Sequence, residues 1–227
     1  PDFLYCNDVF EHVREVETFS ATVYDCLADG GTFCFSTTDS TQSIAMGDIS
    51  MFEHQHVNMF TDRSMALILS SAGFSEITTH RGAYGSTLQV TAVKRAQREV
   101  RDSAPGVGLR MARACNGYFE RAASRIRAFE RFYHEYPDLQ CYVPLRSFPY
   151  LACVGDFGRS RVFDSNVAWR NKYIDGYASP IEGVEDIAYC PGQRFFVASL
   201  TFFDEIKATL AAKGYPHHAV QSIESLP

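Results

Sequence analysis

The chain has no two cysteines spaced as C-x-x-C, no run of basic residues, a single tryptophan and no apolar stretch long enough to span a bilayer. Without C-x-x-C pairs a zinc ribbon is excluded, and no metal-ligand set is assigned from spacing. The seven cysteines are Cys6, Cys26, Cys34, Cys115, Cys141, Cys153 and Cys190, an odd number with several inside apolar strand patterns. They read as reduced thiols packed as small hydrophobes, which fits a cytoplasmic protein. With 21 basic against 27 acidic residues the formal charge is −6, so the chain lacks the basic footprint of a general nucleic-acid binder. No membrane partner is expected either, and the opening PDFLYCNDVFEHV has no basic n-region of a signal peptide. What is present is ordinary: 46% apolar and 21% charged residues over 227 positions, enough to bury the core of one large domain or two small ones.

Periodicity divides the chain. Phe3-Leu4-Tyr5-Cys6 reads as a buried strand, and Val13, Val16, Phe19, Val23 and Leu27 predict a helix over 11–28 that Asp29-Gly30-Gly31 stops. Thr32 to Ser36 is a second strand, and 37–60 reads as irregular. Thr61 then caps a helix with Met65, Ile68, Leu69 and Ala72 on its apolar face, ended by Gly73. Ile77-Thr78-Thr79 and Leu88 to Val93 pair around a turn holding Gly82 and Gly85. A polar linker with Pro105, Gly106 and Gly108 follows, then a long helix over 109–136 with an aromatic stripe that includes Tyr118, Phe129, Tyr133 and Tyr136. After it, strands are expected at Cys141-Tyr142-Val143, Arg161-Val162-Phe163, Phe195 to Leu200 and Ala219 to Ile223, with helices over 147–155 and from Asp204 to Lys213. Alternating strands and helices imply an α/β protein with parallel pairing. The expected divisions are 1–94, then linker and long helix over 95–139, then 140–227.

Four segments carry a resemblance. Asp2 to Val13 (DFLYCNDVFEHV) resembles the fourth-strand motif of class I S-adenosylmethionine (SAM) dependent methyltransferases. Leu27-Ala28-Asp29-Gly30-Gly31-Thr32 resembles their L-x-P-G-G, and His56 to Thr61 with Ala72-Gly73-Phe74 resembles E-H-x-N-x-F-T … A-G-F. Gly85 to Val90 (GSTLQV) is similar to the G-G-S-L-R-V strand of the sugar C-methyltransferase branch. The four occur in family order and cover 1–94. The resemblance implies a partial class I methyltransferase sheet from its fourth strand onward, with SAM as cofactor. The family's glycine-rich SAM loop and its zinc-binding N-terminal module have no counterpart in these residues, so SAM is expected to bind this chain weakly or not at all.

In an open α/β sheet, ligands lie beyond the carboxyl ends of the strands. Cys6, Asn7 and Asp8 are therefore the expected cofactor-facing residues, with helix capping as the structural alternative for Asp8. Glu11 and His12 are read as capping and packing residues. The resemblance implies that His56 is the general base that carbon methylation requires, since a histidine titrates near the working pH. Gln55 stands where the family has a Glu beside that base, and Glu53 or His54 is the nearest residue to compensate.

Residues 140–223 resemble the small Rossmann-like C-terminal domain of the same branch. Arg161 to Asn166 matches a strand ending V-D-x-N, Asn171 to Gly176 the following K-x-x-x-G turn, and Phe195 to Leu200 with Asp204-Glu205-Ile206 the last strand and helix. The turn that should read G-A-G is Pro144-Leu145-Arg146-Ser147, whose proline lacks an N–H and whose leucine adds bulk, so dinucleotide binding there is not expected. Asp164 is read as structural. The functional expectation is methylation of a small molecule such as a nucleotide-linked sugar. The rivals are an O- or N-methyltransferase, and a non-catalytic remnant that binds a nucleotide-like ligand or a protein partner. An exposed sheet edge, if the first strand has no outer neighbour, offers a route to a homo-oligomer.

Overall fold

The computed structural model describes residues 1–52, 55–82, 86–95, 107–155 and 160–226, with the side chains of 107–114 left aside. The chain divides into two compact units, Pro1–Ala45 with His54–Asn116 and Met46–Glu53 with Gly117–Pro227. The elements make it a mixed α/β protein.

In the first unit, alternation decides which side chains enter the core. Strand β1 is Phe3–Asn7, helix α1 Val16–Cys26, strand β2 Thr32–Thr38 and helix α2 Thr41–Met46. Helix α3 is Asp62–Ala72, followed by strands β3, Ser75–Arg81, and β4, Thr87–Val93. The sheet order is β1-β2-β4-β3, with β1 parallel to β2 and the other pairs antiparallel. Phe33 and Phe35 of β2 and Leu88, Val90 and Ala92 of β4 face one side. There they pack with Phe10, Tyr24, Met65, Leu69 and Phe74. Residues at the intervening positions face the other side, where Phe3 and Tyr5 are exposed.

Three expectations for this unit need correction. Strand β1 is not buried, since Phe3 and Tyr5 on its outer face are exposed. The helix over 11–28 is interrupted: a 3₁₀ turn at Phe10–His12 is followed by an extended Val13, and α1 starts only at Val16. The reason is tertiary. The Asn58 side-chain amide donates to the carbonyls of Phe10 and Val13, acceptors that a continuous helix would use itself. The stretch 37–60 is not wholly irregular, because α2 forms after Asp39, whose Oδ1 accepts the Thr41 N–H. The α3 boundaries follow the sequence, with Thr61 and Ser64 forming a capping box and Gly73 left-handed at φ 104°. Gly85 and the linker residues 96–106 fall outside the described residues.

The second unit takes up the long helix α4, Val107–Glu135, from Gly117 onward. Then come β5, Gln140–Tyr142; α5, Pro144–Val154; β6, Val162–Asp164; β7, Ile181–Gly183; β8, Phe195–Val197; α6, Phe203–Ala212; and β9, Val220–Ser222. All five strands are parallel in the order β7-β6-β5-β8-β9, the doubly wound arrangement. Strands β5 and β8 are buried throughout, as a sheet covered on both faces requires. The aromatic stripe of α4 is core: Tyr118, Phe129 and Tyr133 are buried, and Phe129 meets Tyr150 and Phe196 at 5.4 and 4.7 Å between ring centroids. Strand β7 has no sequence signal, because Ile181-Glu182-Gly183 has a single apolar residue and no period to read.

Segment 46–53 belongs to this unit through polar contacts. The Tyr150 hydroxyl donates to Asp48 Oδ1 at 3.1 Å, and the Tyr118 hydroxyl donates to the Asp48 carbonyl at 3.2 Å. After β5, Val143 is left-handed at φ 61° and Pro144 opens α5, while the Tyr177 hydroxyl donates to the Pro144 carbonyl. Asp164 and Asn166 accept from backbone N–H groups two residues on, so both hold the loop after β6.

Candidate functional site

The site in the first unit is built from the end of β1. Asp8 is left-handed at φ 52°, a conformation Asp tolerates, and its N–H donates to the Ser36 carbonyl, extending the parallel ladder by one residue. Asp8 makes no helix cap; the N-cap of the following turn is Val9, without a side-chain bond. The chain then turns through Phe10, whose ring is fully buried, stacked on Phe35 at 4.1 Å and edge-on to Phe19 at 5.2 Å. This anchor fixes the direction of the next two residues.

Glu11 is 1% exposed. Its Oε2 accepts from the Thr37 hydroxyl at 2.8 Å, and its backbone carbonyl accepts from the N–H groups of Val57 and Asn58. The loop that carries His56 is thus tied to the turn that carries Glu11. His12 Nδ1 lies 2.8 Å from the Gln55 carbonyl. A carbonyl only accepts, so this nitrogen holds the proton and Nε2 keeps its lone pair. The rings of His12 and His56 meet edge-on with centroids 5.0 Å apart. Glu11, His12 and His56 place one nitrogen or oxygen ligand atom each within 4.8 Å of the others.

The expected residues do not all meet. His56 joins the cluster. Gln55 contributes its backbone carbonyl, and His54 lies outside the described residues. Cys6 and Asn7 are consecutive in a strand and point to opposite faces. Cys6 faces the Glu11 side, where burial and then the nearby Glu11 charge push its thiol up to about 11, so it is neither a thiolate nucleophile nor a ready ligand at neutral pH. Asn7 lines an open depression of about 370 Å³ on the other face with Tyr5, Ser36 and Gln89, its amide oxygen accepting from the Ser36 hydroxyl. Asp8 is exposed between the two. A single crevice formed jointly by Cys6, Asn7 and Asp8 is therefore corrected to two faces of one strand end. Sequence reasoning passes over Glu11 and His12 as cap and packing residues; the signal that marks them is the Glu-His pair in the turn that follows the strand end.

Residues 1–79 match a family model described as a methyltransferase domain. No curated protein matches the chain. Solved structures that are similar over part of it include the following two. One is described as a possible exported protein from Bordetella parapertussis, at 16% identity and a TM-score of 0.34, covering 42% of this chain and 39% of that one. The other is a SAM-dependent methyltransferase, possible histamine N-methyltransferase, from Thermotoga maritima, at 16% identity and a TM-score of 0.34, covering 41% of this chain and 56% of that one. At these values the two likenesses carry no conclusion about activity. This chain spans less than two thirds of the length of either.

Proposed function

We propose that the first unit is the acceptor-activating part of a SAM-dependent methyltransferase acting on a small molecule. The observation that carries this reading is the meeting of His12 and His56 over Glu11, at the strand end of a segment that matches a methyltransferase domain. A methyl acceptor must lose a proton, and a base within hydrogen-bond reach of that proton is the first requirement. On a carbon acceptor, such as a nucleotide-linked sugar, His56 is the base that the sequence resemblance implies. Asn7 and Asp8, exposed at the carboxyl end of β1, are the cofactor-facing pair.

Glu11 favours a second reading within the same class, an oxygen acceptor. A buried carboxylate beside two imidazoles equips the cluster to hold a cation as well as a proton. The test is transfer of labelled methyl from SAM, by this chain joined to a glycine-rich SAM-loop half, to a panel of nucleotide-linked sugars and small hydroxyl compounds. His56→Ala should lower turnover by roughly two to four powers of ten and leave SAM affinity nearly unchanged. Turnover within a factor of about three of the parent would remove His56 from the chemistry.

A further inference from the structure

We infer that Glu11, His12 and His56 bind one divalent first-row transition-metal ion of the zinc type. The site stands on the cluster itself; its consequence for the acceptor rests on the methyltransferase reading.

The donor set is two imidazole nitrogens and one carboxylate oxygen, all within 4.8 Å of one another. Two His and one carboxylate suit zinc and leave at least one position open. Around a tetrahedral ion with ligands at ~2.0–2.2 Å the donor atoms stand ~3.4 Å apart, so the cluster closes by little more than ~1 Å on loading. His56 makes that adjustment on a segment outside helix and strand, while Val57 and Asn58 hold the segment to the Glu11 carbonyl.

The ligands are oriented by bonds of the kind that orient metal sites. The Gln55 carbonyl accepts the His12 Nδ1–H and leaves Nε2 as the nitrogen able to ligate. Thr37 holds one Glu11 oxygen and leaves the other available. Charge points the same way. Glu11 is 1% exposed, and among the described residues no Lys or Arg forms an ion pair with it. A buried carboxylate without a cation is costly, and a divalent ion supplies the compensation from inside the cluster.

An ion uses the lone pair that His56 would need as a free base. In the loaded form the acceptor is therefore a hydroxyl bound at the open position. The ion acidifies it and the proton passes to solvent. The oxygen then forms a bond to the SAM methyl while the methyl–sulfur bond breaks, and that electron pair stays on the formerly positive sulfur. The substrate class is thus hydroxyl compounds rather than carbon acids.

The experiment titrates the 227-residue chain with Co²⁺, followed by visible absorption, and with Zn²⁺ by calorimetry. One ion per chain is expected, with the intense visible bands of low-coordinate Co²⁺. His12→Ala and His56→Ala should each weaken binding at least about tenfold, and Thr37→Val, which removes only the bond that orients Glu11, should weaken it severalfold. Circular dichroism checks that each variant is folded. The exposed pair His217 and His218 is the natural adventitious site, so the double alanine variant there should bind as the parent does. No uptake, or binding that survives both site variants and disappears with His217 and His218, overturns the site. Methyl transfer that continues unchanged after chelation overturns the ion's role and leaves the methyltransferase reading standing. One-ion binding lost with His12 and His56, with no methyl transfer even when the chain is joined to a SAM-loop half, supports the site and removes that reading instead.

Discussion

Thr37→Val tests the buried charge on which the site depends. Thr37 and Glu11 are each 1% exposed, and their 2.8 Å bond lies on the core face of the first sheet. Valine keeps the shape of threonine, so the cavity term is small and the lost hydrogen bond dominates. A hydrogen bond to a charged group contributes about 1.5–3 kcal/mol, and water cannot replace it at a site this buried. Taking ~2 kcal/mol, hydrogen exchange through opening of the unit should quicken about thirtyfold, since about 1.36 kcal/mol is a factor of ten. Exchange read by mass spectrometry on peptides of β2 and α3 is the suitable assay. The single tryptophan, Trp169, belongs to the second unit, and its fluorescence would not report the change. The neighbouring residue supplies the control. Thr38 Oγ1 is buried without a hydrogen-bond partner, so Thr38→Val removes an unsatisfied group and should be neutral or stabilise by up to ~1 kcal/mol. A Thr37→Val cost below ~0.5 kcal/mol, or an equal cost for Thr38→Val, would refute the reasoning.

Phe10→Ala should destabilise the first unit by about 3–5 kcal/mol, measured by the same exchange assay, because a fully buried ring against Phe19 and Phe35 leaves a cavity. Gly47→Ala should destabilise the second unit by about 2–4 kcal/mol, read by Trp169 fluorescence in urea: φ is +71° and a Cβ would stand 2.4 Å from the Ala122 nitrogen. Burial raises the thiol of Cys141 to about 12, and burial with the Glu11 charge raises Cys6 to about 11, both from 9.0. The unfolded thiols ionise first, so stability is unaffected by these groups below about pH 9 and falls as pH rises from there toward 11 and 12. At about pH 8, iodoacetamide should label the exposed Cys26 and Cys190 well before Cys6, and Cys141 only after unfolding.

Local signals carry most of the element boundaries. The alternation in Phe33-Cys34-Phe35 and the box from Thr61 to Ser64 are decided within a few residues, so they are legible in the chain itself. The interruption of the first helix is not, because it depends on Asn58 reaching back across 45 positions to the Val13 carbonyl. Strand β7 is hidden for a related reason: three residues with one apolar side chain become a strand only when Val162 to Asp164 offers them a ladder.

The site divides along the same line. His56 is marked by its motif, and Asn7 and Asp8 by their place after a strand, which are one-dimensional facts. That Cys6 and Asn7 part company follows from the two-residue repeat of any strand, but only the register of β1 on β2 shows which of them faces Glu11. The sequence by itself determined the strands other than β7, the caps and the residue types available for proton or metal chemistry, since these rest on local propensity and pattern. The tertiary structure decided that Glu11, His12 and His56 share one small volume. The packing of Phe10 against Phe35 and the bonds from the Glu11 carbonyl to Val57 and Asn58 close that volume from segments far apart in the chain, and no local period encodes such a closure.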